Sequence, residues 1–442
     1  MTILRMILFL TSLLAAITLS EGKLANSNRQ YPNFGREMRQ EFLMDSQFIL
    51  LDHGAYGTAP KVTFDALHEY QDRAEANPDL WIRRDVESEL LKVRELLGKL
   101  VNASADDIVM IINTTSAMNA IFRSMVFGFG ERILQFSTIY GSMASVIKYV
   151  CDYSNGAVSA ITFDVTYPIS NYQIVKNFEE FLNANDDPAQ PIRLALIDHI
   201  TSVPGVIVPI ERLIPLLKAR NITVLIDGAH AIGQIPIDIT ALAPDYYITN
   251  CHKWLYATRG CAMMYVDKKH QGTIHPAHIT AGYSQPSNFQ NEFSWTGTMD
   301  FSPYMTVPAA LKFREDVGGE AAIMSYNHRL AIDGGTALAN AFGTQIIQDE
   351  DQMGNMVDVR LPINNPDDPM LNTDFWIDTL LYRFPEVFAP TYKHGGHWWI
   401  RISAQIYNDL TDFEVLGNVY GRICDELNGN SLRSEVLDDN NE

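Results

Sequence analysis

"TVLIDGAHAIGQ" (Thr223–Gln234) is followed eleven residues on by "DYYITNCHKW" (Asp245–Trp254). Each opens on a β-branched or aromatic run, and each run leads to a charged residue. Asp227 follows the first and Lys253 the second, 253 − 227 = 26 residues later. Short apolar runs at that interval predict neighbouring strands of a buried, mostly parallel sheet. Ligands bind outside the carboxyl ends of such strands, so both residues lie where chemistry is expected. A carboxylate at the end of a buried strand is expensive unless it meets a cation or a donor. The plainer readings are a helix N-cap at Asp227 and a simple Asp227–Lys253 ion pair.

The same alternation extends in both directions. "DIVMII", "RILQFS", "AVSAITFDV" and "IRLALIDHI" read as strands, and "GCAMMYVD" closes the series. Between them, "TSAMNAIFRSMVF", "GSMASVIKYVCDY", "YQIVKNFEEFLNA" and "IERLIPLLKARN" carry helical periodicity. This predicts an α/β fold, a mostly parallel sheet with helices on both faces. Beyond Pro303 the pattern changes to long helices, a hairpin turning at Gly395–Gly396 in "YKHGGHWWIRIS" and a closing helix in "LTDFEVLGNVYGRICDEL". The expected organisation is a leader at 1–20, an extended N-terminal arm at 21–60, a large domain at 61–303, a smaller α+β domain at 304–430 and an acidic, disordered tail at 431–442.

Composition narrows the function classes. The 442 residues carry a formal net charge of −20 and are 47% hydrophobic. That balance supports a large buried core and excludes the basic face of a nucleic-acid binder. "MILFLTSLLAAITL" (Met6–Leu19) after Arg5, with "SEGK" behind it, reads as a secretory signal peptide. The run is short for a membrane span, so a secreted protein without a span is expected. Four dispersed cysteines make neither a disulfide scaffold nor a metal site, and His270, His275 and His278 fit no common metal spacing. No metal is expected.

After "DIVMII" comes "NTTSAMN", where Thr114, Thr115 and Ser116 precede a helix. Hydroxyls and free N–H groups at a helix start suit a phosphate, although plain N-capping uses the same residues. A phosphate turn, an acid and a lysine on one rim are the three things pyridoxal 5′-phosphate needs. Its aldehyde takes a lysine, its ring nitrogen an acid and its phosphate a cradle.

"LIDGAHAIGQIPIDI" and "APDYYITNCHKWLYATRGCAMMYV" resemble the cofactor segment of the class V aminotransferase family of pyridoxal-phosphate enzymes, in particular its isopenicillin N epimerase-like and C–S lyase-like members. "LDHGAYGTAP", "NTTSAMN", "DHITSVPGVIVPI", "FSWTGTMD" and "WIRISAQIYN" follow the family order over about Leu50 to Asp425. The resemblance implies fold type I, with a seven-stranded sheet and a smaller C-terminal domain. It implies Lys253 as the Schiff-base lysine, Asp227 at the pyridine nitrogen and His230 near the 3′ oxygen. Thr114, Thr115, Ser116, Asn250 and His252 fall at the phosphate, and Gly297 and Thr298 at the phosphate of a neighbouring subunit in a homodimer with shared sites. Arg401 falls at the α-carboxylate of an amino-acid substrate, with Gly54 and Tyr56 nearby. Three positions depart from the pattern. Asn250 stands where many relatives carry a serine. Thr138 stands where many relatives stack a histidine on the ring, leaving Tyr140 as the nearest aromatic. Thr201–Ser202 replaces an asparagine, with Ser202 near the 3′ oxygen. The implied activity is epimerisation or β-elimination of a C–S bond, with transamination or non-catalytic binding as alternatives. No mobile catalytic cysteine loop is recognisable, which disfavours sulfur transfer through a persulfide.

Overall fold

Seven of the strands pair into one sheet. In chain order the strands are β1 (Ile49–Leu50), β2 (Ile108–Ile111), β3 (Arg132–Phe136), β4 (Ser159–Phe163), β5 (Ile192–Asp198), β6 (Thr223–Asp227), β7 (Tyr246–Thr249), β8 (Ala262–Val266), β9 (Met356–Arg360), β10 (Val387–Phe388), β11 (Thr391–His394) and β12 (His397–Ser403). The large sheet has the order β2-β8-β7-β6-β5-β3-β4, and only β8 runs against the others. The computed structural model describes residues 30–284 and 289–429. The expected leader at 1–20 and tail at 431–442 lie outside them.

Parallel strands need crossovers, and the helices that supply them cover both faces. Ile174, Phe178 and Leu182, at i, i+4 and i+8 of the Asn171–Ala184 helix, pack on one face with Val224 and Ile226. Met118, Ile121 and Phe122 of the Thr114–Ser124 helix pack on the other with Leu225 and Ile248. Strand residues alternate between these cores as the pleat requires. By the same alternation Asp227 falls on the Leu225 face, the face of the Thr114 helix. Two long helices that the sequence reading left unassigned, Lys61–Ala76 and Val86–Val101, precede β2.

A second, antiparallel sheet, β11-β12-β9, packs with the Gly319–Phe342 and Leu410–Leu427 helices around a core that includes Leu330, Val357, Ile400, Ile402 and Phe413. Gly395 and Gly396 make the predicted turn, with φ of 56° and 79°, a left-handed pair suited to a two-residue hairpin. Residues just past Pro303 (Tyr304, Met305 and Val307) still pack in the core of the large sheet. Backbone contacts hold the described residues from Phe34 onward together as one unit.

The N-terminal segment differs from the expected extended arm. Arg36–Glu41 forms a 3₁₀ turn, and Ile49–Leu50 pairs in parallel with Val387–Phe388. The reason is burial. Phe42 joins Tyr256, Phe313 and Tyr407 in edge-to-face contacts, and Arg36 and Arg39 both reach the buried Asp412.

Candidate active site

The parallel strands deliver their carboxyl ends to one rim. Asp198 ends β5, Asp227 ends β6, Asn250 follows β7 and Asn113 follows β2. Because β8 returns antiparallel beside β7, the intervening segment 250–261 is a loop at that rim, and Lys253 lies on it.

The rim begins with the Thr114 turn. Asn113 Oδ1 accepts the Ser116 N–H at 2.8 Å, and Asn250 Oδ1 accepts the Thr114 N–H at 3.1 Å. Asn250 Nδ2 also donates to Thr114 Oγ1 at 3.2 Å. Thr114 and Asn250 therefore cap one another. Among the described residues the Thr115 N–H has no partner, and it stands at the positive end of an eleven-residue helix.

Asp227 is buried. Its Oδ1 accepts the Ala229 N–H at 2.9 Å, and among the described residues no side chain donates to its other oxygen. Burial pushes its carboxyl up to about 6, against the opposing pull of the Ala229 N–H and Lys253. Asp198, its register partner on β5, lies on the same face and is also buried. Burial and the Asp227 charge hold the Asp198 carboxyl well above its usual range.

Lys253 is held by hydrogen bonds of defined polarity. His53 Nε2 meets the Lys253 carbonyl at 2.9 Å and must donate, and its Nδ1 then accepts from the Tyr407 hydroxyl at 2.8 Å. Lys253 Nζ lies 3.1 Å from His230 Nε2. The Trp254 indole N–H reaches His230 Nδ1 over a long 3.4 Å, so Nδ1 accepts and the neutral ring carries its proton on Nε2. That proton faces Lys253 and calls for a lone pair on the amine. The electrostatics agree: burial, then the Arg401 charge, push the Lys253 amine down to about 7, and burial holds His230 well below its usual value. No carboxylate is bonded to Lys253 among the described residues.

His252 is tied to the backbone through one ring nitrogen. Its Nδ1 donates to the Cys261 carbonyl at 2.9 Å, and burial lowers its pKa to about 4. The neutral ring then presents a lone pair at Nε2, so it donates to a phosphate only when that phosphate protonates it.

Arg401 points away from the core that holds Ile400 and Ile402 and is 3% exposed. Its Nη2 pairs with Asp52 Oδ1 at 2.6 Å, its Nη1 donates to the Ser202 carbonyl at 2.8 Å, and its buried Nε has no partner. Ser202 thus meets Arg401. Asp52 escaped the sequence reading, which took only Gly54 and Tyr56 from "LDHGAYG". The Gly54 N–H is tied to Ser403 Oγ at 3.1 Å.

A cavity of about 780 Å³ joins Lys253, Arg401, Asp52, Ser202, Tyr140 and Tyr56. Tyr140 lines it and Thr138 does not. Thr114, Thr115, Ser116, Asp227, His230, Asn250, His252, Gly297 and Thr298 are not among its lining residues. Thr298 is exposed, and Gly297, at φ +123°, has open space around it.

The donor set fits pyridoxal phosphate. An amine with no carboxylate bonded to it, a buried carboxylate with one oxygen lacking a side-chain donor and a helix N-terminus with a spare N–H match the aldehyde, ring nitrogen and phosphate in turn.

Residues 49–372 match the sequence profile of the family described as Aminotransferase class-V. The chain is 29% identical over 441 residues to an L-cysteine desulfhydrase-like protein, lolT1, of Epichloe uncinata, covering 89% of this chain and 96% of that one. It is 26% identical over 403 residues to the hercynylcysteine sulfoxide lyase of Schizosaccharomyces pombe, covering 88% and 98%. A shorter match, 26% over 296 residues, is to the isopenicillin N epimerase of Amycolatopsis lactamdurans, covering 63% and 72%. Among solved structures, a C-DES mutant with glycine covalently linked to its PLP cofactor superposes with a TM-score of 0.70 at 17% identity, covering 88% and 99%.

Proposed function

Because the chain belongs to the class V aminotransferase family, we propose that it is a pyridoxal 5′-phosphate-dependent lyase that cleaves the C–S bond of a cysteine-type amino acid. The observation that carries this reading is the single cavity holding the Lys253 amine and the Arg401 guanidinium together. When bound, the cofactor supplies an aldehyde for the lysine and an electron sink for the pair left at Cα.

Arg401 orients the substrate by its α-carboxylate, a planar job suited to guanidinium. An incoming carboxylate competes with Asp52 for Nη2. Burial raises the Asp52 pKa, against the Arg401 charge, so Asp52 surrenders its own charge more readily than a surface aspartate and yields that position. Lys253, partly neutral at pH 7 and more fully so above it, accepts the Cα proton. The lone pair that takes this proton is the one the His230 Nε2–H engages in the free site, so that bond opens first. Asp227 keeps a proton at the ring nitrogen, and Thr115 receives the phosphate.

The Cβ–S bond then breaks with its electron pair leaving on sulfur, which takes up a proton. The net change is cysteine conjugate plus water to thiol, pyruvate and ammonia. Among the described residues no cysteine lines the cavity, which favours release of sulfur as a thiol. Epimerisation shares the first proton transfer. The desulfhydrase and sulfoxide lyase relatives favour elimination. Two proposals follow from the sequence: a homodimer in which Gly297 and Thr298 serve the partner's phosphate, and secretion directed by the leader. Among the described residues no helix is long and apolar enough to cross a membrane.

The test is incubation of the purified protein with S-substituted cysteines in deuterium oxide. Pyruvate and thiol in equal amounts, lost in Lys253→Ala, support the reading. Deuterium at Cα without pyruvate replaces it with epimerisation. A colourless protein that takes up no added cofactor leaves a binding relative of the fold.

A further inference from the structure

The cavity beside Lys253 is much larger than cysteine requires. Its volume of about 780 Å³ lies in the upper part of the range, roughly 300–1,000 Å³, that holds drug-sized ligands. Of the residues expected at the cofactor ring or phosphate, Lys253, Tyr140 and Ser202 line it, and Ser202 is bonded to Arg401. The rest of the lining, with Arg401, forms the substrate side of the lysine.

Its walls change character with their source. The strand-end and loop residues Asp52, Ser202, Lys253 and Arg401 are polar and hydrogen-bond or charge one another. The 43–64 segment, the helical stretch from Thr373 to Arg383 and β10 bring apolar side chains: Phe48, Phe64, Trp376, Leu380, Leu381 and Phe388 lead this set. Among the described residues the only other charged one in the lining is Arg259, whose guanidinium donates to the Tyr56 and Gly57 carbonyls. Free cysteine engages the polar residues and leaves the apolar walls wet.

We infer that the substrate is a cysteine carrying a bulky apolar substituent on sulfur, aliphatic or aromatic and uncharged, and that the 43–64 and 373–383 segments select it. The inference rests on the proposed C–S lyase reading for its chemistry, but not for its binding. Apolar burial is worth about 0.8 kcal/mol per methylene, or about fourfold. The prediction is therefore a selectivity ladder.

The experiment uses the holoenzyme with L-cysteine and with S-methyl-, S-propyl-, S-pentyl- and S-benzyl-L-cysteine. Each ligand is read two ways: kcat/KM from pyruvate formation, and Kd from intrinsic tryptophan fluorescence, for which Trp376 is a local reporter. The expected result is a rise of about fourfold per methylene from S-methyl to S-pentyl. S-benzyl-cysteine should exceed L-cysteine at least a hundredfold. Leu381→Asp, at a partly exposed wall position, should cut the S-benzyl to S-methyl ratio at least tenfold in both readouts. Equal or falling affinity along the series, or a ratio unmoved by Leu381→Asp, overturns the inference. If the Kd ladder appears without pyruvate, the substrate class stands and the lyase reading fails. If pyruvate forms best from L-cysteine and the ladder is absent, the lyase reading stands and the substrate class fails.

Discussion

Replacing Lys253 by methionine should make the cofactor-free protein more stable, by an amount that depends on pH in a defined way. Burial and the Arg401 charge lower the Lys253 pKa from 10.5 to about 7. The folded state therefore binds this proton only below about pH 7, whereas the unfolded chain keeps it up to 10.5. Between those values the unfolded state holds more protons, so stability rises with pH, and below pH 7 the full penalty applies. At 1.36 kcal/mol per unit the penalty is about 4 kcal/mol at pH 7, about 3 at pH 8.5 and about 1 at pH 10. Methionine has similar length and no charge, so Lys253→Met removes the penalty and keeps the packing. Urea unfolding of the wild-type and variant apoproteins at those three pH values measures it. The gap in favour of the variant should shrink in that order. A gap independent of pH, or a variant less stable at pH 7, would refute the claim that Lys253 is held as a neutral amine.

Three further substitutions probe the supports of the site. Arg401→Ala leaves Asp52 buried and unpaired, so it should cost about 3–5 kcal/mol in thermal or urea unfolding, and Asp52→Asn added to it should recover part of the loss. Gly57→Ala should lower stability by about 1–3 kcal/mol and impair cofactor uptake, because φ is +63° and a Cβ there would lie 2.0 Å from the His252 carbonyl oxygen. Trp254→Phe removes the N–H that fixes the His230 proton on Nε2. The ring can then accept from a charged Lys253, so the pH midpoint of cofactor uptake should rise, by about 0.7 unit if the lost bond is worth about 1 kcal/mol.

The sheet was legible because its strands are short apolar runs ending in turn residues, and its helices repeat at 3.6. Lys253 and Asp227 were legible because a charge at the end of a buried strand has few physical excuses. The missing parts share a cause: they act through tertiary contact. Asp52 precedes an ordinary turn, and nothing local shows that Arg401, 401 − 52 = 349 residues later, will meet it. The Trp254 N–H and the His53 ring set the Lys253 environment through hydrogen-bond polarity, which no spacing encodes. The bond from His252 Nδ1 to the Cys261 carbonyl, which leaves Nε2 for another partner, is likewise set by tertiary contact. Phe42 and Met38 gave a local signal, two apolar residues four apart, that an arm with buried anchors does not run free.

The central claim is that Lys253 carries the cofactor. Borohydride reduction of the purified protein loaded with pyridoxal phosphate, followed by proteolysis and peptide mass spectrometry, tests it directly. The account predicts one reduced pyridoxyl adduct, on the Lys253 peptide, with the visible band lost on reduction and no adduct in Lys253→Ala. An adduct on a different lysine, or none on a protein that binds the cofactor, would contradict it.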